Sequence, residues 1–238
     1  MNKRICRVLI IVLIFTVIFL GLLYLTYKSN SSALSTSADN IKYKTIIIDA
    51  GHGGEDGGAV ADDGTVEKDI NLDISLKLEK LLKIYGFEVI MIRSDDRLIY
   101  SPDSVTMRQK KISDIKNRMR IIENNPDSIF VSIHQNKFSS SYVHGAQIFY
   151  SKNNPESQIL AQSIQDSFSK TIQPDNARKT KPTGTEIYLL YHAKNVAVMA
   201  ECGFVSNFEE LSLLKQDSYR LKIALTVADG IVRYCFKE

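Results

Sequence analysis

His52, His134 and Glu201 are the residues in this sequence best placed for chemistry, because each follows a short apolar run: IIIDAGHGG, IFVSIH and VAVMAE. Runs of this kind read as buried strands. In an open α/β sheet, ligands gather at the carboxyl ends of the strands. Three strands would then deliver His, His and Glu to one edge. Glu67 would join them from the start of the next helix, fifteen residues after His52. Two histidines and one carboxylate make a catalytic zinc set that leaves the fourth position open. Zinc there acidifies water and polarises a carbonyl. A further carboxylate can take a proton from water and pass it to a leaving amine. The residue types leave open which carboxylate does which, and they also suit iron or manganese.

Each residue has a plainer explanation when taken alone. A histidine after a strand is often only a surface hydrogen-bonding group. Glu67 at a helix start complements the helix dipole. Glu201 is harder to explain away, because a carboxylate entering an apolar environment needs a partner or a role. Together the four point to a site. The neighbouring segment DAGHGGEDGG follows a strand, but no Gly-Lys-Ser/Thr follows it, so it is not a P-loop. A G-x-G-x-x-G match from Gly51 fails at Asp56. Its five glycines instead let the backbone bend closely around a metal. His144 and His192 fall near turns and read as surface residues. Cys202 lacks an evident general base, and a Cys202–Cys235 disulfide is permitted outside the cell without being specified by the sequence. The run Arg108 to Arg120 holds six basic residues against Asp114. It reads as a solvated face, or one able to touch an anionic polymer or lipid surface.

The elements that must position these residues alternate between strand and helix. Lys44–Asp49, Phe87–Arg93, Ile129–Ile133, Ala146–Tyr150 and Val196–Ala200 read as strands. Asp69–Tyr85 carries Ile70, Ile74, Leu78, Leu81 and Leu82 on one helical face and closes at Gly86. Ser157–Ile172, Phe208–Lys215 and Ser218–Phe236 read as helices. Asp95–Lys116 reads as a long polar loop, or in part a helix without clear limits. The expected fold is α/β: a mixed or mostly parallel sheet flanked by helices on both faces, preceded by one N-terminal transmembrane helix.

That preceding helix comes from Val8–Tyr27, 20 residues without a charge, behind Lys3, Arg4 and Arg7. It is long enough to cross a hydrocarbon core of roughly 30 Å, and the basic flank would keep the N-terminus in the cytoplasm. Its length favours an uncleaved anchor over a cleaved signal peptide, whose apolar core usually runs about 7–15 residues. Either way the body lies outside the cytoplasm, secreted if the segment is cleaved. The expected organisation is an anchor at 1–28, a Ser-rich linker at 29–40 and a catalytic domain at 41–238. The chain of 238 residues has a net charge of +3, but its first 40 residues hold four basic groups and one acidic group. The remainder has 30 − 4 = 26 basic and 27 − 1 = 26 acidic residues, so it is neutral. No nucleic-acid partner is expected. Three cysteines exclude a disulfide-dense mini-protein.

Three ordered blocks resemble a known family: IIIDAGHGGEDGGAV with EKDINLDISLKL, then FVSIHQN, then AECGFVSNFEE. Over residues 44–236 the chain resembles the zinc-dependent N-acetylmuramoyl-L-alanine amidases of bacterial cell walls, amidase type 3. The resemblance implies one zinc ion held by His52, Glu67 and His134, with Glu201 as the catalytic glutamate. It implies peptidoglycan as substrate, cut at the amide between N-acetylmuramic acid and L-alanine. Arg118 matches a family arginine and is expected to be structural. Gln135 stands where the family often has a small residue, and Phe208 where it often has proline. The N-terminal segment, the absence of wall-binding repeats and RLIYSPDS are similar to the sporulation amidases, which prepare muramic lactam in spore cortex for germination. Family members can depend on an activating protein partner, which the sequence does not identify. Rival readings are a vegetative cell-wall amidase, a non-cleaving peptidoglycan-binding module and another zinc hydrolase such as an endopeptidase.

Overall fold

Apolar runs without polar alternation need cover on both faces, and a parallel sheet between helices supplies it. In the computed structural model, which describes residues 16–24 and 42–236, Thr45–Ala50 (β1) is buried along nearly its whole length. It pairs in parallel with Glu88–Met91 (β2) and Ile129–Asn136 (β3). Val196–Phe204 (β6) pairs in parallel with β3, and Gln147–Tyr150 (β4) runs antiparallel to β6. The two-residue Lys181–Pro182 (β5) closes the far edge, giving six strands in the order β2-β1-β3-β6-β4-β5. The expected mostly parallel α/β sheet is therefore present.

Glu67–Ile84 (α1) turns Ile70, Ile74, Leu78 and Leu82 inward at near four-residue spacing. It packs against β1, β3 and Asp217–Phe236 (α6), and α6 packs in turn against Glu156–Thr171 (α3). On the other face, Met119 and Ile122 of Met107–Glu123 (α2) meet Ile47, Phe130, Ala197 and Met199 of the sheet. Leu189 and Leu190 of the short helix Tyr188–His192 (α4) complete that layer. Phe208–Leu214 (α5) precedes α6.

Three details differ from the sequence reading. The stretch read as a polar loop, or in part a helix without clear limits, holds the start of α2, which runs past Lys116 to Glu123 and is started by a capping box in which Thr106 and Gln109 satisfy each other's backbone N–H groups. Strands β3 and β6 run past His134 and Glu201, because pairing continues through His134–Glu201 to Asn136–Phe204 across an irregularity. Strand β5 and helix α4 are too short to leave a periodic signal.

The chain divides into two units, Met1–Ile41 and Lys42–Glu238. In the first, residues 16–24 are helical. Most of the expected anchor and all of the expected linker lie outside the described residues. Among the described residues no helix is long and apolar enough to cross a membrane.

Candidate metal centre and catalytic cleft

His52 sits just beyond β1 in a loop gripped by two buried arginines. Arg93 donates from Nε to Ala50 O at 2.8 Å and from Nη2 to Gly51 O at 3.0 Å and Lys68 O at 2.9 Å. Arg118, from α2, donates to Ala50 O at 3.1 Å and His52 O at 2.8 Å. It also pairs with Asp49 and, at 2.7 Å, with Asp114. Ser132 donates to Asp49 at 2.6 Å. Arg118 is thus structural, as the resemblance implied. This frame holds His52 at φ 62°, a left-handed conformation that costs a non-glycine residue energy. The ring is fixed as well: Nδ1 lies 2.9 Å from Asp56 Oδ2, and Nε2 lies 3.3 Å from Glu67 Oε2.

Glu67 is the first residue of α1 and is almost fully buried. Ala59 N donates to its Oε2 at 2.8 Å, while Asn71 Nδ2 at 3.0 Å and Gln135 N at 3.1 Å donate to Oε1. His134 Nδ1 lies 3.0 Å from the same Oε1. Burial disfavours the carboxylate, but hydrogen bonds from His134 and His52 win and hold it well below the usual range. Close packing completes the arrangement. A Cβ on Gly51 would stand 2.3 Å from the His134 ring, and one on Gly58, at φ 69°, would stand 2.5 Å from Glu67 Oε2. Those two glycines are required by space around the ligands, which sharpens the sequence expectation.

One nitrogen or oxygen from each of His52, Glu67 and His134 lies within 4.8 Å of the others. Such a set could hold a metal, and the donor types suit zinc. Its electrostatics point the same way. Burial opposes charge on His52, yet Asp56 and Glu67 outweigh it and raise its pKa to about 9. Without a metal the cluster recruits a proton, so a divalent cation is a natural replacement.

Glu201 is in register opposite His134 on the neighbouring strand. Its Oε2 is buried with no hydrogen-bond partner. Burial raises its pKa to about 7; His134 pulls it back and Glu67 adds to the rise. A cleft of about 390 Å³ opens beside these groups, with Lys111, Glu186, Tyr188 and Met199 among its walls. A larger cavity of about 480 Å³ lies between α3 and α6. Its Lys42, Tyr43 and Tyr234 are all tied to Glu156, and it contains none of the four site residues.

The structure therefore brings together His52, Glu67, His134 and Glu201. His192 instead contacts Tyr188 and Tyr191, at ring distances of 4.3 and 5.1 Å. Cys202 and Cys235 are free and buried. Burial pushes both thiols up, that of Cys235 to about 12, which leaves them poor nucleophiles. Sequence reasoning passed over Asp56, Asn71, Arg93 and Lys111. Only Asp56 carried a signal, as an acid four residues from His52 within the glycine segment.

Comparison with known proteins agrees with this geometry. The family profile described as N-acetylmuramoyl-L-alanine amidase matches residues 46–233. The germination-specific N-acetylmuramoyl-L-alanine amidase of Bacillus subtilis is 32% identical over 191 residues, covering 80% of this chain and 79% of that protein. The CwlD amidase of Clostridioides difficile, solved in complex with the GerS lipoprotein, is 44% identical with a TM-score of 0.79, covering 82% of this chain and 100% of that one. The catalytic domain of CwlV from Bacillus (Paenibacillus) polymyxa var. colistinus is 30% identical with a TM-score of 0.66, covering 80% and 97%. The chain belongs to the N-acetylmuramoyl-L-alanine amidase family and is a peptidoglycan hydrolase.

Proposed function

We propose that this amidase is zinc-dependent, with His52, Glu67 and His134 as the metal ligands and Glu201 as the general base. The observation that carries the reading is the contrast between Glu67, both of whose oxygens accept hydrogen bonds, and Glu201, whose buried Oε2 accepts none. Zinc held by the three ligands would supply Lewis acidity toward the scissile carbonyl and toward water. Glu201 accepts the proton of the attacking water and returns it to the departing L-alanine nitrogen. A carboxyl group whose pKa lies above the ordinary carboxylate range suits both directions of that transfer. The bond cut joins the lactyl carbonyl of N-acetylmuramic acid to L-alanine of the stem peptide.

The biological setting we infer is the spore cortex, where removal of stem peptides precedes muramic lactam formation. Likeness to the germination-specific and CwlD amidases supports this setting. The apolar Val8–Tyr27 run supports tethering to the outer face of the membrane through an N-terminal anchor at 1–28 and a linker at 29–40, with the catalytic domain at 41–238. The GerS complex of the CwlD relative supports an activating protein partner.

Mass spectrometry of muropeptides after incubating the full-length protein with peptidoglycan and zinc tests the chemistry. The expected products are intact stem peptides with a free L-alanine amine, and a chelator abolishes their release. Cuts within the stem peptide would replace the amidase reading with an endopeptidase. Spores lacking the gene are expected to lack muramic lactam; a normal cortex would move the enzyme to the vegetative wall.

A further inference from the structure

We infer that Asp56 is a positioning residue for the metal site and that Lys111 holds it in place, an arrangement that rests on the zinc reading above. Asp56 is not a member of the ligand set, yet its carboxylate faces the outer nitrogen of His52 at 2.9 Å. A carboxylate at that distance accepts a hydrogen bond from Nδ1–H and favours the tautomer that leaves the lone pair of Nε2, the nitrogen facing Glu67, for a metal. It also stops the ring from rotating. The partner is itself immobilised. Gly53 N donates to Asp56 O and Asp56 N to Gly53 O, both at 2.9 Å, so a tight turn fixes the carboxylate against the ring four residues earlier. Asp56 Oδ1, the other carboxylate oxygen, receives Lys111 Nζ at 2.7 Å and, more weakly, Gly58 N at 3.4 Å.

Lys111 comes from α2, the helix that also supplies Arg118 to the His52 carbonyl. One helix thus controls the same ligand twice, through its backbone from the buried side and through its ring from the exposed side. The arrangement is one-sided. His134 is steered by close packing on Gly51 and by Glu67 itself. The His52 ring is likewise packed on Gly58 and faces Glu67, and its other nitrogen additionally meets Asp56, a carboxylate outside the ligand set. Lys111 is about half exposed, so its own share is small, and it acts through Asp56 rather than on the metal.

The test is the zinc dissociation constant of the full-length protein, measured by competition with a chelating fluorophore in the absence of peptidoglycan. Asp56→Ala is expected to weaken zinc about 10- to 100-fold. Asp56→Asn keeps an acceptor oxygen without the charge and falls between. Lys111→Ala weakens zinc only a few-fold in the parent, and not at all in the Asp56→Ala background, since the two act as a unit. The visible spectrum of the cobalt-substituted protein shifts with Asp56→Ala, a signature that loss of global stability alone does not produce. The metal-free thermal midpoint identifies variants that fail to fold. An Asp56→Ala protein that folds, keeps zinc within twofold of the parent and keeps its cobalt spectrum overturns the inference. A Lys111→Ala effect of equal size in both backgrounds overturns the part given to Lys111. If His134→Ala binds zinc like the parent, the metal assignment itself falls, and this inference with it.

Discussion

Glu67 and Glu201 are the same residue type on the same sheet edge, and their surroundings drive them apart. Glu67 is met by two backbone amides, one side-chain amide and two imidazoles. These donors hold its carboxyl well below the usual range despite burial, which suits the ligand role proposed for it. Glu201 is half-buried at the cleft, and its Oε2 is shielded from water but receives no donor. Burial raises its carboxyl to about 7, with the nearby Glu67 charge adding to the rise. Environment, rather than residue identity, separates the proposed ligand, held charged, from the proposed base, whose pKa is raised.

The sharpest way to break this contrast is to neutralise each carboxylate in turn. Glu201→Gln is expected to lower kcat about 100- to 10,000-fold while zinc affinity stays at the parental level. Glu67→Gln is expected to lose zinc first and activity as a consequence. Equal zinc loss in both variants would erase the distinction. The pH profile carries the same information. A base must be deprotonated, so kcat/KM falls about tenfold per unit on the acid side of the Glu201 pKa, and that limb is missing from whatever activity Glu201→Gln retains. The metal's positive charge draws the midpoint below the metal-free value of about 7. Stability has the opposite sign. Because folding raises this pKa, the group costs the metal-free protein stability as pH rises from its unfolded value toward 7. Glu201→Gln should therefore melt at a higher temperature than the parent at neutral pH, an activity lost for a stability gained.

A smaller effect is expected from the frame behind the ligands. Burial alone would raise Asp49, but Arg118 and Ser132 outweigh it and hold it low. Arg118→Met leaves that carboxylate buried and unpaired, which costs about 3–5 kcal/mol. The sign reverses with pH. In the parent, the depressed Asp49 pKa stabilises the fold above the unfolded value of about 3.9, and that contribution is lost as pH falls. In the variant, Asp49 is destabilising when charged. Urea midpoints should therefore differ widely at pH 7 and converge toward pH 4. A constant gap would mean that Asp49 is not what Arg118 neutralises.

That His52, His134 and Glu201 would converge could be read from the sequence, because strand ends in an α/β sheet are where polar residues after apolar runs meet, with Glu67 joining from the start of α1. The residue types alone left their roles open, since His, His, Glu and Glu admit more than one division of labour; the family resemblance supplied the division proposed above. The limits of helix α2 were hidden for a physical reason. Its buried groups include Asp114 and Arg118, whose charges cancel inside the protein while looking in sequence like a solvated face. The continuation of β3 and β6 was hidden because His134, Gln135, Asn136 and Glu201 are polar, although backbone pairing is indifferent to that. Asp56 sits in a glycine segment whose flexibility drew attention away from its one ring-facing carboxylate.

Phe208 offers the mildest test, because it follows Glu201 by seven residues and departs from the proline often found there. Its side chain is 84% exposed, so it packs against little. It is the first residue of α5, where an N–H has no partner within the helix and proline's fixed φ is already suitable. Asn207 before it is extended at φ −94°, ψ 125°, the conformation that a following proline demands. The N-cap bond from Glu210 N to the Asn207 side chain, at 2.9 Å, does not involve residue 208. Phe208→Pro should therefore stabilise the fold by about 0.4–1 kcal/mol, mainly by restricting the unfolded chain. Zinc affinity, kcat and the acid limb should not move. A thermal midpoint a few degrees higher with unchanged kinetics would separate the departure from the chemistry. A shifted acid limb would mean that the end of β6 helps set the Glu201 environment, and the contrast between the two glutamates would then extend beyond the residues that touch them.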